Sequence, residues 1–261
     1  MKHQCPNISI IVPFYRGNQY IEGLLKNISA NVDNFADNAI NVEVLFVNDS
    51  PEDAIIYDRS IHYPFEVRSI SSGKNQGIHG ARCYGVKCSK GDYIVMLDQD
   101  DLLSDKWLWE QWNSLGNNDI VISNAIYCGR RRKEKKYKTI KEMQTACNKW
   151  TLCFKGNRIV SPGQVLMKRQ IIPKQWLRHT MKHNGADDYL LWILLFEKKC
   201  RISYNLNSFY YHRYSDESIS HKSRLMRKSE EEMAQIIVNE HSVSRWRRVI
   251  YKHRFLNKEV W

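Results

Sequence analysis

Two β-branched runs, "ISIIVPFY" at 8–15 and "NVEVLFVNDS" at 41–50, flank a stretch, "NQYIEGLLKNISANV", whose apolar residues recur at helical spacing. Strands with consecutive apolar positions are buried on both faces, and a helix crossing between two of them makes them parallel. The pattern then repeats. "FEVRSISS" (65–72) predicts a third strand, "GIHGARCYGVKCS" (77–89) a helix with small residues on one side, and "DYIVML" (92–97) a further strand. Such alternation predicts a mostly parallel α/β sheet with helices on both faces, whose ligands bind beyond the carboxyl ends of the strands. The polar endings "NDS" (48–50) and "DQDD" (98–101) are therefore expected to face one crevice.

Downstream the pattern loosens. A Trp-rich helix, "WLWEQW", leads to a strand at 119–127 and to the basic run "GRRRKEKKYKTIKE" at 129–142. Residues 156–172 hold strand-like pieces around a turn, 187–199 a buried helix with an acidic start, and 201–215 strand and loop. Two helices follow, one charged and one basic with aromatics. The 261 residues suit one large domain over 1–215 with a helical, basic tail over 216–261.

Lysine and arginine total 40 against 28 acids, a net charge of +12 that favours anionic partners: nucleic acid, phosphorylated ligands or acidic lipid. The longest apolar run, "YLLWILLF" at 189–196, is far short of the roughly 20 residues that cross a bilayer. "MKHQCPNISIIVPFY" has a short apolar stretch broken by Pro13 and no small-residue cleavage site, so a cytoplasmic protein is expected. Seven cysteines without a CxxC pair read as reduced, buried thiols.

In "IVMLDQDDLLSDKW" (94–107), Asp98, Asp100 and Asp101 stand directly behind an apolar strand. Carboxylates so close raise one another's pKa, so a positive group is expected among them. Two carboxylates on a loop can share a divalent cation, and all-oxygen ligands suit magnesium or manganese, whose shell water and nucleotide phosphates complete. A solvated turn or a helix N-cap is the competing reading.

Taken in order, "IIVPFYRGNQYIEGLLKNI", "VEVLFVNDS", "NQGIHGARCYGVKCSKGDYIVMLDQDD" and "GADDYLLW" resemble the inverting, nucleotide-sugar-dependent glycosyltransferases of family 2, over about residues 8–215. The resemblance implies the GT-A fold, a Rossmann-like sheet, with residues 1–101 as the nucleotide-binding half and 102–215 as the acceptor-binding half. It sets Pro13 and Tyr15 near the nucleotide, although "PFYRG" departs from the family's usual Tyr-Asn pair and leaves Arg16 without a counterpart. Asp49 is implied to bind the base, usually uracil; a strand-end Asx turn is its other reading.

Asn75, Gly77 and Arg82 match the family segment N-x-G-x-x-x-A-R-N-x-G, with Cys83 in place of the usual Asn. Gly77 and Gly80 would let the helix start approach the diphosphate, or serve packing alone; Arg82 would contact phosphate or brace the acidic loop. Asp98 is implied for the ribose and metal region, Asp100 for the metal, and His212 for metal or diphosphate, with Arg213 beside it. Asp101 assists or caps the next helix, and His79 is a polar residue near the pocket. Asp188 is the second acid of the family's pair and hence the general base, with Asp187 beside it raising the pKa of one member. An acidic helix start favoured by the macrodipole is the alternative. "SPGQV" (161–165) would floor the acceptor side, with Gln164 and Asp187 as acceptor contacts.

The partners so implied are Mn2+ or Mg2+, a UDP-sugar donor, and a glycan or polyprenyl-diphosphate-linked acceptor in bacterial surface polysaccharide synthesis, such as capsule or lipopolysaccharide. In the tail, Trp246, Val249, Ile250 and Phe255 recur among Arg245, Arg247, Arg248, Lys252 and Arg254. Such a helix either lies on an anionic membrane, making the protein peripheral on the inner face of the plasma membrane, or packs on the domain with its arginines in water. The run from Arg130 to Lys136 reads by default as a solvated loop. A nucleic-acid-binding protein is the alternative class, but helix-turn-helix, RRM and zinc signatures are missing and no nucleic acid is expected. A glycoside hydrolase with paired carboxylates would have no use for the pattern around Asp49 and Asp100.

Overall fold

The computed structural model describes residues 7–35, 40–129, 134–213 and 223–257. Strands β1 (Asn7–Phe14) and β2 (Asn41–Asn48) flank helix α1 (Asn18–Val32) and pair in parallel from Asn7 with Asn41 to Phe14 with Asn48. β3 (Glu66–Ser71), α2 (Gly77–Cys88) and β4 (Tyr93–Met96) extend the same pattern, with β3 parallel to β2 and β4 parallel to β1. The amino-terminal half is thus fully parallel, as the alternation predicts.

The other half is mixed. β5 (Leu102–Leu103), α3 (Trp107–Leu115), β6 (Ile120–Cys128), β7 (Glu134–Lys135), α4 (Ile140–Ala146) and α5 (Lys149–Lys155) come next. The chain then passes over the carboxyl edge of the sheet and enters β8 (Val165–Lys168) from above, so β8 runs antiparallel to both β4 and β6. α6 (Lys174–Arg178), α7 (Asp187–Glu197), β9 (Ile202–Arg213), α8 (Ser223–Asn239) and α9 (Arg245–Phe255) complete the described elements. The nine strands form one sheet in the order β3-β2-β1-β4-β8-β6-β9-β5, with β7 paired to β6.

Successive strand residues point to opposite faces, and both faces are dry. Ile11, Leu45, Val47, Ile94, Met96 and Ile122 pack beneath α2 and α7; Ile10, Val12, Val44, Phe46, Val95 and Val121 pack beneath α1 and α3. α7 is buried along nearly its whole length, which accounts for its apolar sequence without a membrane. Among the described residues no helix is long and apolar enough to cross one. The expected division at 215/216 lies outside the described residues, but Met233, Ile237, Val243 and Tyr251 share the α7 core, so α8 and α9 are built into it. Cys83, Cys147 and Cys153 are buried free thiols; Cys88, Cys128 and Cys200 are also free and only partly covered. Arg130–Lys133 of the basic run lie outside the described residues, whereas Lys135 is exposed.

A buried polar knot ties the amino ends of the strands, opposite the presumptive ligand edge. Glu43 accepts from Ser9 Oγ (2.5 Å), Lys90 N (2.6 Å) and Arg68 Nη1 (2.8 Å). Burial disfavours its charge, but these donors prevail and hold its pKa below the ordinary value. Glu43→Ala leaves Ser9 Oγ and Lys90 N without their acceptor and Arg68 with only the more distant Glu66 (3.9 Å), so urea unfolding should register a loss of about 3 kcal/mol.

Candidate active site

β1, β2 and β4 end at the same edge, and the loops that leave them meet the start of α2, the segment 160–162 and the start of α7 around a cavity of about 510 Å³. Pro13 lines it from the end of β1 and Tyr15 from the loop that follows; Tyr15 is 48% exposed, with the Arg16 guanidinium 5.3 Å from its ring centroid. Gln99 holds that loop by both ends of its amide: Tyr15 N donates to Oε1 (2.9 Å) and Nε2 donates to Tyr15 O (3.1 Å). Arg16 adopts φ 49° and turns away to Glu52 (3.1 Å) and Asp53 (3.5 Å).

Asp49 is buried at the cavity wall and accepts from Gln76 N (2.6 Å). Burial pushes its carboxyl above the ordinary range, only partly offset by the N–H groups of Gln76 and Gly77. Asn75 Oδ1 accepts from Gly77 N (3.0 Å), and Asn184 Oδ1 from Ile78 N (3.1 Å). Side chains thus already accept from the first two amides of α2, while Ile78 of this helix start lines the cavity. Gly77 lies outside the cavity lining. It is glycine because φ is +72° and a Cβ would come within 2.7 Å of Asn184 Oδ1.

Arg82 lines the cavity but is 3% exposed and braced between two acids, Nη2 to Asp98 Oδ1 (2.5 Å) and Nη1 to Asp187 Oδ2 (2.7 Å). Burial works against its charge, but Asp98 and Asp187 outweigh burial and hold the guanidinium protonated. Of the two expectations for Arg82, the geometry matches the brace and not a phosphate contact. Asp187 is correspondingly paired with Arg82 and buried, although it also lines the cavity. Asp98 also accepts from Ser161 Oγ (3.0 Å), a partner 63 residues away.

Asp101 does not cap a helix. It accepts from the Tyr210 hydroxyl and from Arg213 N (2.6 Å), and lies 3.0 Å from His212 Nδ1. Burial opposes a charged His212, but the hydrogen bond and charge of Asp101, with Asp98 and Asp100, raise its pKa overall. Asp100 is different: burial, then the charges of Asp101 and Asp98, push it up to about 6. Asp98 and Asp101 already hold partners, Asp100 is a destabilised carboxylate whose side chain has no recorded partner, and His212 lines the same wall. Among the described residues no three His, Cys, Asp or Glu side chains are arranged to hold a metal by themselves. The set fits a hard cation held by Asp100 with help from Asp98 or His212, its shell completed by ligand oxygens.

Across the cavity, Asp188 opens α7. Its Oδ1 accepts from Tyr189 N (2.7 Å) and its Oδ2 from Asn157 Nδ2 (2.8 Å). Burial and then the neighbouring Asp187 push its carboxyl up to about 7, with Arg82 pulling the other way. It is a carboxyl that exchanges a proton near neutrality.

Pro13, Tyr15, Asp49, Asn75, Arg82, Asp98, Asp100, Asp187, Asp188 and His212 therefore share one cavity. Gln164 does not. It is fully buried, accepting from Val160 N (2.7 Å) and donating to Ser123 O (2.7 Å), so it fastens the 160–164 loop to β6 instead of meeting an acceptor. His79 is also internal: Nδ1 accepts from Met181 N (3.0 Å), which leaves Nε2–H to donate to Trp176 O (3.1 Å).

An uncharacterized glycosyltransferase of Haemophilus influenzae is 30% identical over 125 residues, 47% of this chain and 47% of that protein. The minor teichoic acid biosynthesis protein GgaB of Bacillus subtilis is 30% identical over 102 residues, 38% of this chain and 11% of GgaB. The matched segments thus span about half or less of these relatives. Among solved structures, S. aureus TarS 1–349 in complex with UDP-GlcNAc superposes with a TM-score of 0.65 at 16% identity, over 96% of this chain and 72% of that one. The mannosyltransferase PcManGT from Pyrobaculum calidifontis, in complex with GDP-Man and Mn2+, gives 0.63 at 14%, over 97% and 70%. These likenesses establish the GT-A fold. Residues 9–176, from β1 into α6 and so through every cavity-lining residue from Pro13 to Pro162, match the model of glycosyl transferase family 2, and the chain belongs to that family.

Proposed function

We propose that the chain is an inverting glycosyltransferase that moves a sugar from a UDP-sugar to a hydroxyl of a glycan or lipid-linked acceptor in bacterial surface polysaccharide synthesis. The observation that carries the reading is the pairing, in one cavity, of a nucleotide-side acid set (Asp49, Asp98, Asp100) with a separate carboxyl, Asp188, poised near pH 7. UDP-GlcNAc in TarS and teichoic acid synthesis in GgaB support the donor and pathway classes.

In this reading Asp49 and the Tyr15 ring receive the base, and Asp98, braced by Arg82, faces the ribose. Asp100 and His212 would hold Mn2+ or Mg2+ against the diphosphate. When bound, that cation supplies Lewis-acid neutralisation of charge on the departing nucleoside diphosphate. Asp188 takes the proton of the acceptor hydroxyl as its oxygen bonds to the anomeric carbon and the carbon–phosphate-oxygen bond breaks on the opposite face. Asn157 and Tyr189 N fix the Asp188 carboxylate for that transfer.

UDP should raise the melting temperature, and more so with manganese. A ligand at a hundred times its Kd stabilises by about 2.7 kcal/mol, which for a chain of this size is a shift of roughly 5–10 °C. GDP serves as the comparison, since PcManGT holds GDP-Man. A larger shift with GDP would replace the UDP assignment; no shift with either nucleotide would remove the donor site.

A further inference from the structure

Beside the base side of the cavity, two helices far apart in sequence carry four of the most exposed large apolar side chains of the described chain. On α5, Trp150 and Phe154 stack at 6.1 Å with planes 15° apart, and are 48% and 63% exposed. On α9, Trp246 and Val249 are 78% and 55% exposed, one helical turn apart. Single exposed apolar residues are ordinary, but four on one pair of packed helices form a patch.

The pair is rigid. The Arg247 guanidinium lies 5.3 Å from the Trp150 ring centroid and is paired with the buried Glu197 of α7. Arg254 Nη1 donates to Cys153 O (2.8 Å), closing the carboxyl end of α5, and the buried Tyr251 packs edge-on against Tyr189. The inner face of α9 is spent on these contacts, which turns Trp246 and Val249 outward. Of the two expectations for this helix, its packing on the domain is what the structure contains, yet its outer face is left bare.

The charge on α5 and α9 themselves has one sign. Lys149, Lys155, Arg245 and Lys252 are exposed, and neither 144–158 nor 241–257 contains an acid. Aromatic side chains above a cationic rim complement an anionic bilayer, where Trp settles at the headgroup level and Lys and Arg meet lipid phosphates. A second copy of the chain is disfavoured, because a two-fold contact would set one basic patch against another. Asn157, which holds Asp188, is only two residues beyond α5, so a surface docked there lies one short loop from the candidate base.

We propose that the α5–α9 surface docks this protein on an anionic lipid bilayer, with the acceptor side of the cavity beside the membrane. The test is sedimentation of the full chain with vesicles of phosphatidylcholine and phosphatidylglycerol, against phosphatidylcholine alone. Binding should favour the anionic vesicles by about tenfold or more and weaken with added salt. The double variant Phe154→Ser, Trp246→Ser should lose most of that binding while keeping its melting temperature and its response to UDP. The surface-charge variant Arg245→Glu, Lys252→Glu should lose it as well. Full chain that stays in solution with anionic vesicles, either variant binding like the parent, or a concentration-dependent dimer that the variants abolish would each overturn the proposal. The UDP response reads the donor site separately, so failure of one proposal is not failure of the other.

Discussion

Asp188→Asn lowers the turnover number for sugar transfer by about a thousandfold, the range expected for loss of a positioned general base, and leaves UDP binding unchanged. The substitution keeps the size of the side chain and one of its two hydrogen bonds, so the local cost is only about 1 kcal/mol. It removes the group that the proposed mechanism uses to accept the proton. Asp188 opens α7, whereas Asp49 and Asp100 sit on the loops that follow β2 and β4, so the substitution alters neither of those two side chains. The pH dependence follows from the same environment. Asp187 and Asp98 disfavour the Asp188 carboxylate and Arg82 favours it, with burial and Asp187 prevailing to give a value of about 7. Transfer needs the unprotonated form, so activity climbs through pH 7 and falls to about a tenth one unit below it. Stability runs the other way: a carboxyl raised in the folded state contributes most below its unfolded pKa and loses that contribution as pH rises through 7. At pH 8 the variant should therefore melt no lower than the parent. A variant that keeps more than about a tenth of parental turnover would show that another group serves as base, and joint loss of UDP binding and transfer would show that Asp188 belongs to the donor side.

What could be read in advance was what local periodicity encodes. The spacing in "NQYIEGLLKNISANV" became α1, residue for residue, because a long amphipathic helix between two doubly buried strands has one way to pack. α4 and α5, of seven residues each, span about two turns and give no reliable period, so the surface they build was not foreseen. The orientation of β8 depends on where the chain re-enters the sheet, which no local pattern records. Within the site, acids behind strand ends were legible because charge there is costly unless used. Gln164 was misjudged because a loop sequence does not say which side faces the ligand; its amide faces β6. The bond from Ser161 to Asp98 and the role of Asn157 beside Asp188 are not legible in the sequence, because the partners are 63 and 31 residues away. Gln99 lines the cavity between two acids, but its bonds to the Tyr15 main chain join residues 84 apart, which no local pattern records.

Arg82→Gln should be the most destabilising single change at the site, costing about 3–5 kcal/mol in urea unfolding, the range for breaking a buried ion pair from one side. The guanidinium bridges Asp98 behind β4 and Asp187 at the start of α7, and each acid loses its cation once it is gone. Lysine does not repair this, because a single ammonium cannot reach both carboxylates with the fork that Nη1 and Nη2 provide. If the cost is that of unpaired charge, neutralising the acids as well should return most of it: Arg82→Gln, Asp98→Asn, Asp187→Asn should unfold within about 1–2 kcal/mol of the parent, although without activity. Where enough folded Arg82→Gln survives for kinetics, the acidic limb of its activity should move above pH 7, since Arg82 is the charge that holds the Asp188 pKa down. A single variant as stable as the parent, with its limb still at pH 7, would mean that the two halves of the cavity are held apart by packing and not by this cation.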